Sequence, residues 1–98
     1  MDLIKITPNK ERAISILKMI FLFEERIKTQ DKLKMASLIL ADYYEIIKEL
    51  ATAILLVDGY KTLSHKDLID YLEERYSEFD ANEISIMNNL RVLRDRIT

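Results

Sequence analysis

The sequence predicts an all-α fold, a four-helix up-and-down bundle with two long and two shorter helices. Three observations carry this. The chain has one Gly and one Pro in 98 residues, too few breakers for the turn-rich pattern of β proteins. Apolar residues make up 49% of it, enough for a packed core. They recur at intervals of three and four along four segments, and those segments are bounded by residues that start or stop helices. A chain of this length makes one domain, residues 1–98, with no room for a second core.

The first helix opens at "TPNKERA", with Thr7 as the expected N-cap and Pro8 in the first turn, where its missing N–H costs nothing. Ile16, Ile20, Phe23 and Ile27 form its apolar stripe. Ala13, Leu17, Met19 and Phe21 widen that stripe, so burial on more than one side is expected. The pattern fades at "KTQD". The second helix runs from Leu33 to Asp58, with Gly59 as a left-handed C-cap. Ala36, Leu40, Tyr43, Ile47, Leu50, Ile54 and Val57 make a heptad seam, and Ile39, Ile46 and Ala53 a second stripe beside it. Two apolar faces fit the central helix of a bundle; a homodimeric coiled coil is the alternative reading of the seam.

The third helix runs from about Ser64 to Tyr76. Ser64 caps it, Asp67 stands at N3, and Leu63 is placed to staple onto Leu68. Leu68, Ile69, Leu72 and Tyr76 are its expected core residues. The fourth helix starts at Asp80, with Glu83 completing a capping box and Phe79 stapling to Ile84. Its expected buried stripe is Ile86, Leu90, Leu93 and Ile97. A strand is possible only at "DLIKI", too short for a sheet alone.

Composition narrows the chemistry. The absence of cysteine removes disulfides, thiolate metal sites and Cys nucleophiles, and fits a cytoplasmic protein. His65 is the only histidine, so no histidine-rich metal site is available, and no cofactor or metal is expected. The opening "MDLIKITPNKER" lacks the features of a signal peptide, and apolar runs such as "ATAILLV" fall far short of the ~20 residues that span a bilayer. No membrane role is expected. The net charge of −2 is unevenly spread. Lys10 to Lys34 carries seven basic and four acidic side chains, Lys66 to Glu83 two basic and seven acidic, and the last eight residues three Arg and one Asp. Nucleic acid could therefore bind only through a local patch.

Arg94 lies by angle between Leu90 and Ile97, so its guanidinium is either snorkelling, paired with a carboxylate of the acidic third helix, or placed in a cleft for an anion. Arg91 sits one turn earlier, and Arg96 points away. His65 stands at the first position of the third helix and reads as an ordinary surface residue. Tyr43 falls on the seam while Tyr44 faces about 100° away. Asp42 and Glu45 beside them read as solvated charges, with no Glu-x-x-His pattern to make a metal site. Asn88, Asn89 and Arg91 are residue types that read base edges, so DNA binding by the fourth helix is one reading. The acidic third helix beside it argues against that reading.

Two stretches, "ADYYEIIKELATAILLVDGYKTLSHKDLIDYL" and "NNLRVLRDRI", resemble a HEPN domain, the all-helical family of RNA-targeting toxins and related systems. The likeness covers about Leu33 to the end of the chain. It implies a dimer that cleaves RNA without metal. In active members the last helix carries an Arg, then a polar residue, then a His after four to six intervening residues. Arg94 matches the Arg and Asp95 the polar position, as the incomplete catalytic pair, and Arg91, Arg94 and Arg96 would contact nucleic acid. The matching His would fall at 99 to 101. The expectation is therefore that the chain stops inside a helix the family continues, or is a short member without the catalytic half. It should bind RNA or a protein partner and be inactive as a nuclease in this form. The resemblance implies a homodimer through the fourth helix and part of the second, and a nucleotidyltransferase-type protein as one possible partner. A helical interaction or regulatory module is the alternative from another class.

Overall fold

The computed structural model describes residues 1–29 and 36–97 and is all-α apart from one two-stranded ribbon. The order is β1 (Ile4–Lys5), α1 (Lys10–Thr29), α2 (Ala36–Asp58), β2 (Tyr60–Lys61), α3 (His65–Arg75) and α4 (Ala81–Ile97). The expected contributions of Leu33 and Thr98 lie outside the described residues. Among those residues α1 packs only on α2, whereas α3 and α4 pack on α2 and on each other. The bundle is thus layered: α1 on one side, α2 in the middle, the α3–α4 pair on the other.

The core follows the layers. Between α2 and the α3–α4 pair lie Ala51, Leu55, Leu68, Ile69, Tyr71, Leu72 and Ile84. Between α1 and α2 lie two smaller clusters, Ala13 with Ala53 and Leu56, and Ile20 with Ile27 and Ile46. The stripe Ile39–Ile46–Ala53 therefore faces α1, and the heptad seam does not provide the main packing surface. Tyr43, Leu50 and Val57 remain 48%, 38% and 41% exposed. At about 100° per residue the buried Ile46 and Ala53 lie ~60° to one side of them, and the buried Tyr44 and Ala51 ~100° to the other. The seam is the edge left between the two layers. The 3.5-residue repeat is present in the chain, but the neighbours come in on its flanks.

Other expectations change for similarly local reasons. α1 is capped by Asn9, whose Oδ1 accepts from Arg12 N–H at 2.9 Å, so Thr7 and Pro8 stand before the helix. Leu17, Met19 and Phe21 are exposed, and α1 buries one face only. Leu63 is almost fully exposed and staples nothing. Asp67 does not complete a capping box. Its N–H donates to Ser64 Oγ at 3.2 Å, but its carboxylate accepts from Asp2 N–H at 3.0 Å. At α4 the box is complete: Glu83 N–H donates to Asp80 Oδ1 at 2.8 Å and Asp80 N–H to Glu83 Oε1 at 3.1 Å.

The α2 terminus is where the N-terminal segment is tied down. Gly59 takes φ of +91°, the left-handed cap expected of it. The N–H groups of Asn9 and Gly59 both donate to Leu56 O, and Ile6 N–H donates to Gly59 O at 2.8 Å. This brings "DLIKI" antiparallel to Tyr60–Lys61, with Ile4 opposite Lys61 and Lys5 opposite Tyr60. The expected short strand exists, and its partner follows the glycine.

Candidate functional site

The register of α4 decides where the arginines go. Its inward face is Ile84, Met87, Asn88, Arg91 and Arg94, spaced at three and four. Ile86 and Leu93, expected in the core, are 50% and 41% exposed; the side chain of Ile97 lies outside the described residues. The helix thus turns two of its arginines into the bundle and two of its leucine-class residues to solvent. The anchor for this register is Ile84, buried in the core beside Phe79 and fixed by the capping box just before it.

Arg94 meets Tyr44, and Arg91 is near enough for its charge to act on the phenol. This tyrosine, and not Tyr43, is the buried member of the pair, 1% exposed. The Arg94 guanidinium carbon is 5.9 Å from the centroid of its ring, within the range of a cation–π contact. Arg94 Nη2 stands 3.6 Å from Glu45 Oε1, and Nη1 stands 3.6 Å from Asp95 Oδ1. Its carboxylate neighbour across the fold belongs to α2, not to the acidic α3. Arg91 is half-buried, and its Nε is enclosed without a hydrogen-bond partner among the described residues. Arg96 is exposed, as its angle predicts. Burial raises the pKa of the Tyr44 phenol, against the pull of Arg91 and Arg94.

His65, read from the sequence as an ordinary surface residue, and Lys48, which the sequence did not single out, join this group. His65 lies with its ring centroid 5.8 Å from that of Tyr44, the planes tilted by 43°. It caps nothing itself, but its place at the head of α3 sets it against α2. Burial lowers its pKa first, then the positive charges of Lys48 and Arg94, against the opposing pull of Glu45 and Asp95. Lys48 Nζ is 2.8 Å from Glu45 Oε2 and 3.4 Å from Glu49 Oε1. Burial works against the Lys48 charge, but the hydrogen bond and charge of Glu45, and then Glu49, outweigh it and raise its pKa. Glu45 therefore presents one oxygen to Lys48 and the other to Arg94. Asp42, its supposed companion, goes to the other layer, where Arg26 donates to both of its oxygens, Nε to Oδ2 at 3.1 Å.

The site thus draws Tyr44, Glu45 and Lys48 from α2, His65 from α3, and Arg91, Arg94 and Asp95 from α4. Sequence reasoning named the α4 members through the family resemblance, gave Tyr44, Glu45 and His65 no special role, and did not single out Lys48. The available signal was the i, i+3 spacing of Glu45 and Lys48, which holds both on one face of α2. Among the described residues no group of three or more His, Asp or Glu is placed to hold a metal ion, and no helix is long and apolar enough to cross a membrane.

A second constellation lies at the C-terminal end of α2. Asp58 Oδ2 accepts from the hydroxyls of both Tyr71 and Tyr76, the former at 2.7 Å. Arg75 lies over the rings of Tyr60 and Tyr71, at 5.6 and 5.2 Å. The bond to Asp58 pushes the Tyr76 phenol up to about 12; burial first, and then Asp58, raises that of Tyr71 further.

Comparison with family models, curated proteins and solved structures finds no match for this chain. Fold and site together define an all-α bundle with a cluster of paired charges around a buried tyrosine where its second, third and fourth helices meet.

Proposed function

We propose that this chain is a HEPN-like helical domain that binds RNA through the α4 arginines and associates as a homodimer. The observation that carries the RNA reading is the inward register of α4. Arg94, the residue matching the family's arginine, lies on Tyr44 beside Arg91, His65 and Lys48. A guanidinium at such a site can hold a phosphate oxygen through paired N–H donors. Asp95 follows it, as in the family's motif. The proposal concerns binding.

The test is a titration of unstructured RNA at matched salt. Arg94→Ala should weaken binding about tenfold or more, the loss of one charge-assisted contact, whereas Lys18→Ala on exposed α1 should change it little. Equal affinities for the two variants remove Arg94 from the site.

A specific observation favours the association reading. Ile86 and Leu93 of α4, together with Tyr43, Leu50 and Val57 of α2, leave apolar edges on the two helices expected at a dimer surface. A groove of about 220 Å³ lined by Leu17, Leu50, Ile54 and Val57 runs along one of these edges. A nucleotidyltransferase-type protein is the further partner that the resemblance implies. For DNA reading by α4 the residue types do not share one exposed face: Asn89 is exposed, while Asn88 and Arg91 turn inward.

A further inference from the structure

We propose that the outer face of α1 binds a second copy of this chain, as an antiparallel pair of α1 helices held at both ends by Lys18 and Glu25. This surface is separate from the apolar edges of α2 and α4, and it does not rest on the RNA reading. Among the described residues α1 packs only on α2, through Ala13, Ile20 and Ile27. Ile14, Lys18, Phe21 and Glu25 share an arc of about 60°, turned away from those three by roughly 130°, and Leu22 borders it. All five are exposed, and the apolar ones heavily so: Ile14 is 53% exposed, Phe21 65% and Leu22 71%. Large apolar side chains set side by side in solvent on one helix face mark an interaction surface.

The charges name the occupant and its direction. Lys18 and Glu25 stand about 10 Å apart along the helix axis, with Phe21 and Leu22 at the midpoint between them. A two-fold axis through that midpoint runs two α1 helices antiparallel. It sets Phe21 against the partner's Leu22, and Lys18 against the partner's Glu25, once at each end. A parallel pair would instead set Lys18 on Lys18 and Glu25 on Glu25, and like charges facing across a contact are costly. The face is therefore complementary to itself in one direction only, as a closed two-fold contact requires. Both charges are able to take a new partner. Among the described residues Lys18 has no ion pair. Glu25 meets Lys28 at 3.4 Å, with the two side chains 71% and 69% exposed, a solvated pair that contributes little.

The test is sedimentation velocity of the full chain over a wide range of concentration, in a Leu93→Glu background that disrupts the apolar edge of α4. This chain should still pair. Lys18→Glu and Glu25→Lys should each weaken the pairing about tenfold or more, because each sets like charges together at both ends of the contact. Combining Lys18→Glu with Glu25→Lys restores both pairs with their signs exchanged, and should bring the affinity back to within about threefold. Recovery in the double variant also separates a lost contact from a lost fold. The antiparallel α1 pair is refuted if the Leu93→Glu chain stays monomeric, or if the single reversals leave its pairing unchanged. It is refuted equally if the double reversal fails to recover what the single ones lose. Pairing that Leu93→Glu abolishes would leave association through the α2 and α4 edges standing without it. RNA titrations run below the pairing concentration do not involve this surface.

Discussion

Substituting Ile46 and Leu50 separately tests which face of α2 holds the fold. Each change to alanine removes three carbons, about 2.4 kcal/mol of transfer free energy at ~0.8 per methylene. Ile46 is 9% exposed and sits between Ile20 and Ile27 of α1, so a cavity cost adds to that loss. Ile46→Ala should destabilise by about 3 kcal/mol, within the usual range for such sites. Leu50 is already 38% exposed and borders an open groove. Its transfer loss scales down to about 1.5 kcal/mol, and alanine recovers a little through helix propensity. Urea unfolding measures both, with a slope near ~1 kcal/mol per molar for a chain this size. The midpoint should fall about twice as far for Ile46→Ala as for Leu50→Ala. The comparison is made first at low protein concentration. If the proposed dimer forms through this edge, the deficit of Leu50→Ala should grow as concentration rises, because association would stabilise wild type more than the variant. If Leu50→Ala loses as much as Ile46→Ala in the dilute sample, the seam is a core face after all, and the arrangement of layers is wrong.

Two further outcomes follow from local geometry. Gly59→Ala should cost roughly 2 kcal/mol or more in the same urea assay. The left-handed φ of +91° carries about 1–2 kcal/mol for any L side chain, and a Cβ there would stand 3.0 Å from Ile6 O. A loss below about 0.5 kcal/mol would mean that the β1 attachment yields freely. The Tyr76 phenol, raised to about 12 by its bond to Asp58, is neutral in the folded state where an unfolded tyrosine would begin to ionise near 10. Its stabilising contribution is therefore complete below about pH 10 and lost as pH rises from there through 12. Asp58→Asn should bring its ultraviolet ionisation midpoint down toward 10; an unmoved midpoint excludes Asp58 as the cause.

The helices were legible because their ends are written in short-range chemistry. Ser64, Asp80 and Gly59 act within a turn or two of where they stand, and each does what its residue type prescribes. The rotation of each helix was less legible. α2 is apolar on so much of its circumference that several faces could serve as the core. Tyr43 and Tyr44 are the clearest case: chemically identical, adjacent, and opposite in burial. Which one turns inward depends on where the α3–α4 pair docks, and no local pattern carries that. The same blindness hid the site. Glu45 to Lys48 is a local spacing, but its meeting with His65 and Arg94 needs the tertiary arrangement.

The register of α4 also links the two functional readings. Leu93 is two residues from Arg91, about 200° around the helix, so one turn of the axis sets both. Facing guanidinium groups inward costs solvation, which contacts such as those of Arg94 with the Tyr44 ring and Glu45 must offset. Facing Ile86 and Leu93 outward forfeits apolar burial as well. Neither choice benefits an isolated monomer, and a rotation by half a turn would reverse both. The compensation must come from Ile84, whose burial and capping box fix the register at the helix's start. The inward arginines and the outward apolar edge are then two consequences of one anchor. Ile84→Ala, by loosening that anchor, should weaken RNA binding and association together, whereas Arg94→Ala should affect the first and spare the second. Sedimentation velocity beside the RNA titration separates these outcomes. If Ile84→Ala still folds but weakens only one of the two, the shared register is refuted as the link between them.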